Sequence, residues 1–160
     1  MTGVQTCALP IYNNTSGNNR TYKKYGTISN DLTIYNTIGP SERLTPNNAA
    51  TNLESGLLRV AVPYGRTCTF ACYVRKSSAV IDGTAYNGTQ PILLLKANPA
   101  AGIDVDTTLY TGSLTTGLWE KYTGTTPAVS DDAILSFAIQ CNGTTGWVNL
   151  DLNDITAVIN

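Results

Sequence analysis

The sequence contains no histidine. That removes the commonest general base, the Ser–His and Cys–His nucleophile pairs, and most zinc and copper sites. Charge is scarce as well: Asp, Glu, Lys and Arg make up 13% of the 160 residues, about half the share usual for a soluble domain. The ten Lys and Arg are scattered apart from Lys23-Lys24 and Arg75-Lys76, and the formal net charge is -1. A nucleic-acid groove needs a basic stripe to neutralise phosphates, so no nucleic-acid partner is expected. No apolar run approaches the length of a membrane span, and no membrane partner is expected either. The first residues have neither a basic n-region nor an adequate h-region, so they do not read as a secretory signal.

What fills the composition is Thr, Asn, Gly and Ala, with Val, Ile and Tyr in short runs broken by Gly, Pro, Asn and Asp. Helical periodicity is nearly absent, and this pattern predicts an all-β antiparallel sandwich. Strands are expected at 41–45 (SERLT), 56–62 (GLLRVAV), 67–76 (TCTFACYVRK), 91–97 (PILLLKA), 119–125 (WEKYTGT), 133–141 (AILSFAIQC) and 147–155 (WVNLDLNDI). Shorter ones are expected at 27–35 and 107–111. The segments 46–52, 77–90, 98–106 and 142–146 carry turn residues and read as loops.

Two strands alternate cleanly. Cys68, Phe70, Cys72 and Val74 share one face of the first, and Leu135, Phe137, Ile139 and Cys141 share one face of the second. Each should present that face to a core. Cys68 and Cys72 lie about 13 Å apart along one strand, too far to bridge each other. If the two strands pair antiparallel, Cys68 comes near Cys141, which makes a Cys68–Cys141 disulfide the candidate bridge. The favoured reading is three buried free thiols, as cytoplasmic assembly would leave them.

The opening MTGVQTCALPI is of another kind. Read back into codons from a GTG start, residues 1–11 resemble a common sequencing-library adapter at every position. The leftover T begins codon 12, as both Tyr codons require. The expected organisation is an adapter-derived artefact at 1–11, with Cys7 inside it; a loop-rich or truncated opening at 12–38; and the sandwich domain at 39–160.

From Gly39 onward the order of motifs resembles a known family. Ser41-Glu42-Arg43-Leu44, the run from Phe70 to Lys76, Gly117-Leu118-Trp119, Thr126-Pro127 and the stretch from Trp147 to Asp151 are similar to the jelly-roll domains of the galactose-binding and carbohydrate-binding-module type. The resemblance is particularly to the versions common in phage and metagenomic virion proteins, such as tail fibres and minor structural proteins. The resemblance covers roughly three quarters of the chain and implies a jelly-roll fold, a glycan ligand and Trp119 packed in the core. It also implies a virion or extracellular location, with other virion proteins or further copies of the chain as partners. Relatives hold a structural calcium with a closing pair of Asp and an acidic residue on the opening strand. Two departures stand out: the closing strand reads Leu150-Asp151-Leu152-Asn153-Asp154, as though an insertion or bulge displaced the second carboxylate, and the acidic opening is missing.

Carboxylates are the only catalytic groups left. Glu42, Glu54 and Glu120 fall on different strands, and nothing in their spacing suggests a glycosidase pair, so no enzyme is expected. Asp131-Asp132 reads first as a turn; with Asp151 it supplies the candidate calcium ligands, while Asp104 and Asp106 lack the Gly and Glu of an EF-hand loop. Aromatic rings stack on the apolar faces of sugars, whose hydroxyls need amide, carboxylate or guanidinium partners. The candidate glycan-binding residues are accordingly Tyr73, Arg75, Tyr86, Asn87, Trp147 and Asn149. The runner-up function is a carbohydrate-binding module from a secreted bacterial glycoside hydrolase.

Overall fold

The computed structural model describes residues 21–23 and 25–160. The adapter-like residues 1–11, and Cys7 with them, lie outside the described residues. Ten strands follow in order: β1 (Thr21–Lys23), β2 (Gly26–Asp31), β3 (Ser41–Pro46), β4 (Asn48–Val62), β5 (Cys68–Lys76), β6 (Ile92–Leu95), β7 (Thr107–Thr111), β8 (Trp119–Thr125), β9 (Ala133–Gly143) and β10 (Val148–Ile159). A single turn of helix, α1 (Ala79–Asp82), follows β5.

The strands form two five-stranded antiparallel sheets, the first ordered β1-β4-β9-β6-β7 and the second β2-β3-β10-β5-β8. This is a jelly-roll β-sandwich. The regular alternation of β5 and β9 dictates its core: Cys68, Phe70, Cys72 and Val74 point inward from one sheet, and Leu135, Phe137, Ile139 and Cys141 from the other.

The same arrangement overturns the expected pairing of those two strands. β5 is bonded to β10 and β8, whereas β9 is bonded to β4 and β6, so the two face each other across the core rather than along a ladder. Cys68, Cys72 and Cys141 are buried free thiols, and the candidate Cys68–Cys141 disulfide is not formed. Both strands want one apolar face buried, and facing strands in opposite sheets meet that need as well as neighbours in one sheet do.

Three boundaries also differ from expectation. The chain leaves the second sheet at Pro46 and enters the first at Asn48, so 46–52 is mostly strand rather than loop. Its turn-like composition serves the irregular start of β4, where Asn48 Oδ1 accepts the N–H groups of Ala50 and Thr51. The sandwich also begins before Gly39, because β2 pairs with β3 from Gly26↔Pro46 to Asp31↔Ser41. Finally, β10 runs on to Ile159 through a wide bulge. Asp151 is opposite Tyr73 and Thr156 opposite Ala71, so five steps on β10 match two on β5. The insertion anticipated in Leu150-Asp151-Leu152-Asn153-Asp154 is this bulge. It reverses parity, so that Val148 and Leu150 face inward before it and Ala157 and Ile159 after it.

Candidate functional site

The face of the second sheet that points away from the core has an ordered set of side chains. Two rows cross all five strands. One reads Asp31, Ser41, Asp151, Tyr73, Lys121 and the next Ser29, Arg43, Asn149, Arg75, Trp119. Tyr73, Trp119 and the adjoining Trp147 are half-buried, Lys121 is exposed, and Asp31, Ser41, Asn149, Asp151 and Arg75 are buried. Tyr73 and Trp119 are diagonal neighbours, roughly 7 Å apart at the backbone.

Asp31 is the hub of one end of this face. Its carboxylate accepts the N–H groups of Thr33 and Ile34, the Thr33 hydroxyl, the Arg43 guanidinium at 2.6 and 2.9 Å and Asn149 Nδ2 at 3.0 Å. Burial alone would raise this carboxyl, but the hydrogen bonds from Thr33, Arg43 and Asn149 outweigh it and hold it well below the usual carboxylate range. Asn149 Nδ2 also donates to Ser41 Oγ, and Asn149 Oδ1 accepts Trp147 Nε1–H at 2.9 Å. Arg43 in turn lies 4.2 Å from the centroid of the Trp147 ring. One face of Trp147 is therefore covered by a cation.

A strap, residues 32–40, joins β2 to β3 and runs beside this network. Ser41 Oγ donates to the Ile34 carbonyl, and Asn153, lifted by the bulge of β10, donates from Nδ2 to the carbonyls of Ile38 and Pro40. The Gly39–Pro40 peptide in the strap is cis.

The other end is built around Arg75. Its Nη2 donates to both oxygens of Asp82 at 2.9 and 2.8 Å, and its Nε donates to the Gly117 carbonyl. Asp82 closes α1, which Ser78 caps, and also accepts the Ser78 N–H at 2.7 Å. Gly117 adopts a φ of 78°, and a Cβ there would stand 2.8 Å from the Ile81 side chain. Glycine is what lets this loop approach α1 and offer its carbonyl to Arg75. Lys76 Nζ is bonded to the Ser113 carbonyl, and burial holds its pKa down despite nearby Glu120. Glu120 accepts the N–H and hydroxyl of Ser113 and the hydroxyl of Tyr110, tying the same loop to β8.

Of the six candidate glycan-binding residues, the sheet gathers Tyr73, Arg75, Trp147 and Asn149 on this face. Tyr86 is elsewhere: it is buried in the core, its hydroxyl donates to the Thr89 carbonyl and accepts the Asn142 N–H, and burial pushes its pKa upward. Its ring has no free face to stack on a ligand. Asn87 is a turn clamp, with Oδ1 accepting the N–H groups of Thr144 and Thr145 and Nδ2 donating to Thr144 Oγ1. Trp119, expected in the core, is on the outer face instead. It differs in parity from Tyr122, which is the residue of β8 that enters the core.

The expected calcium ligands do not converge. Asp131 and Asp132 are in the turn before β9, where Asp132 Oδ1 accepts the Tyr64 N–H, whereas Asp151 is buried in the middle of the second sheet. Among the described residues no group of three or more Cys, Asp or Glu is arranged to hold a metal ion. The three glutamates are also separate, and two are far from solvated. Glu42 accepts the Ser55 hydroxyl across the sandwich, and Glu54, fully buried on the first sheet, accepts Lys96 Nζ at 2.9 Å and Gln140 Nε2 at 2.7 Å. Asp31, Arg43 and Asp82 were not singled out from the sequence. The common parity of Ser41 and Arg43 on β3 is a signal that could have found Arg43.

The two-sheet jelly-roll fold is similar to that of solved carbohydrate-binding modules. The chain is similar to the CBM22-2 xylan-binding domain of Paenibacillus barcinonensis Xyn10C, at 11% identity and a TM-score of 0.58, over 88% of this chain and 92% of that one. A CBM4 structure matches at 16% identity and a TM-score of 0.52 over 97% of each chain. The enzymatically active domain of bacteriophage CBA120 tailspike protein 4 matches at 8% identity and a TM-score of 0.56, covering 86% of this chain but only 18% of the tailspike chain. No protein-family model and no curated protein matches the sequence. Among the described residues no helix is long and apolar enough to cross a membrane.

Proposed function

We propose that this chain is a non-catalytic, carbohydrate-binding jelly-roll domain that meets its glycan on the outer face of the second sheet. The observation that carries the reading is the alignment of Tyr73, Trp119 and Trp147 on one sheet face, half-buried and interleaved with Arg43 and Lys121. Rings held this way offer apolar area to a sugar without first having to be ordered, and the polar neighbours match its hydroxyls. The absence of histidine and the separate engagement of Glu42, Glu54 and Glu120 support a binding rather than a hydrolytic role.

The setting we propose is a virion: a tail-fibre or other surface component whose copies bind host glycan weakly and gain strength through avidity. The fold likeness to a phage tailspike domain supports it, together with the order of motifs from Ser41 to Asp151. The second reading, a module of a secreted glycoside hydrolase, is supported by the match to a xylan-binding domain over almost its whole length. Neighbouring genes separate the two: tail and capsid genes for the first, a fused catalytic domain for the second.

The binding face is tested on a glycan array with the wild-type chain and with Tyr73→Ala, Trp119→Ala and Trp147→Ala. Loss of signal in at least Tyr73→Ala and Trp119→Ala, with thermal melts unchanged, is the expected result. Equal signal from all four proteins would remove this face as the binding site.

A further inference from the structure

Two buried side-chain atoms of the described residues have no hydrogen-bond partner, and both belong to the outer face of the second sheet: Arg75 Nη1 and Asp151 Oδ2. They flank one aromatic residue. Asp151 stands directly opposite Tyr73 in the ladder between β10 and β5, and Arg75 is the next residue of β5 on the same face. Arg75 is 5% exposed and Asp151 fully buried.

Neither side chain can turn away to find a partner. Arg75 is held through Nε and Nη2 by Gly117 and Asp82, and Asp151 Oδ1 accepts the Asn153 N–H at 2.8 Å. Leaving a buried polar group unpaired costs about 1–3 kcal/mol, and more when it is charged. Native proteins tolerate few such atoms, and a pair of them beside one ring points to a ligand.

The chemistry of that ligand follows from the pair. Nη1 offers donors and needs an acceptor; Oδ2 accepts and needs a donor. An anion would satisfy Arg75 and be repelled by Asp151, and a cation would do the reverse. Two adjacent hydroxyls on an uncharged ring satisfy both, because each hydroxyl donates and accepts. We infer that Arg75 Nη1 and Asp151 Oδ2 form a subsite over Tyr73 that reads a vicinal diol of a neutral pyranose. This deepens the glycan-binding reading and rests on it. Both atoms lie out of reach of solvent, so the sugar has to displace what packs around them: α1 and the Gly117 loop at Arg75 and, beside Asp151, the strap at 32–40. That segment is tied beside Asp151 through Ser41 and Asn153, while Leu32 and Ile38 project from it into solvent.

The test uses the full chain in native gels cast with soluble xylan, mixed-linkage β-glucan, galactomannan or the anionic polygalacturonate, alongside thermal melts. The proteins are wild type, Tyr73→Ala and Asp151→Asn, the last of which keeps the shape and the contact to Asn153. At least one neutral polysaccharide is expected to retard the wild type, and polygalacturonate is not. Asp151→Asn should weaken that retardation about tenfold or more while melting at or above wild type, since a hydrogen bond to a charged group is worth about 1.5–3 kcal/mol and the variant also removes an unpaired buried charge.

If Asp151→Asn binds like wild type while Tyr73→Ala does not bind, the glycan face stands and the diol subsite falls. An Asp151→Asn variant that melts well below wild type overturns the subsite as well, because the carboxylate is then a structural element. Retardation by polygalacturonate overturns the choice of a neutral ring. A wild-type chain retarded by none of the gels overturns the glycan reading itself and the subsite with it.

Discussion

The ring of Phe70 on β5 lies 4.4 Å from the ring of Phe137 on β9, with the two planes 12° apart. This stack joins the two sheets across the core, and both rings are fully buried. Truncating one of them removes its own buried surface and leaves the other ring against a cavity. Phe137→Ala is therefore expected to cost about 3–5 kcal/mol, read as a lowered urea midpoint. A loss below about 1 kcal/mol would mean that the sheets are held together elsewhere.

The three core thiols give a second expectation. Burial pushes Cys68 up to about 11 and Cys72 and Cys141 up to about 12, so almost no thiolate exists near neutral pH. In the native protein at pH 8 a disulfide-exchange reagent should leave Cys68, Cys72 and Cys141 untouched, and all three should react once urea unfolds the chain. Non-reducing peptide mass spectrometry should find no Cys68–Cys141 link. Fast native labelling at any of the three would contradict the packing described.

Asp31 sets a pH dependence. Its folded carboxyl lies below the unfolded value of about 3.9, so its contribution to stability is complete above roughly pH 4 and drains away as pH falls toward the folded pKa. Asp31→Asn should be less stable than wild type at neutral pH, with the difference shrinking as the medium is acidified. Urea midpoints measured from pH 7 to pH 2 check this. Parallel curves for the two proteins would show that the Asp31 network adds no pH-linked stability.

The bulge in β10 supplies a fourth. Between Asp151 and Thr156 the strand takes five steps where β5 takes two. Deleting residues 152–154 removes the three extra steps and leaves Ala157 and Ile159 with their inward parity. The shortened chain should fold with the same two sheets but lose the Asn153 bonds to Ile38 and Pro40. Faster amide exchange confined to 32–40 is the expected signature, and global unfolding would show that the bulge is needed for the core.

How far the sequence carries this structure depends on the range of the interaction. The alternation of Cys68, Phe70, Cys72 and Val74 is local, so the strand and its inward face are legible directly. Which strand faces which is a long-range matter: β5 and β9 have identical apolar patterns, and only the order of the sheets separates a ladder from a stack. The parity of Tyr73 and Trp147 placed both on the outer face. Tyr86 misled because a Gly/Asn-rich loop looks exposed, while its ring reaches back into the core beside Cys141. The Asp31 hub was hidden for a different reason. Thr33 and Ile34 follow it closely, but Arg43 lies 12 residues on and Asn149 118 residues away, and no spacing rule connects that last partner to it.

The position of β10 has a consequence for how the protein comes into being. β10 leaves the ribosome after the other nine described strands, yet it is the middle strand of the second sheet, with β3 on one side and β5 on the other. Until it arrives, β2 with β3 and β5 with β8 can form only separate hairpin-like ribbons, and the Asp31 hub has no Asn149 to join. The second sheet, and the outer face it carries, should therefore assemble after synthesis of this region rather than during it. Nascent chains halted before Trp147 would be the form most dependent on chaperones.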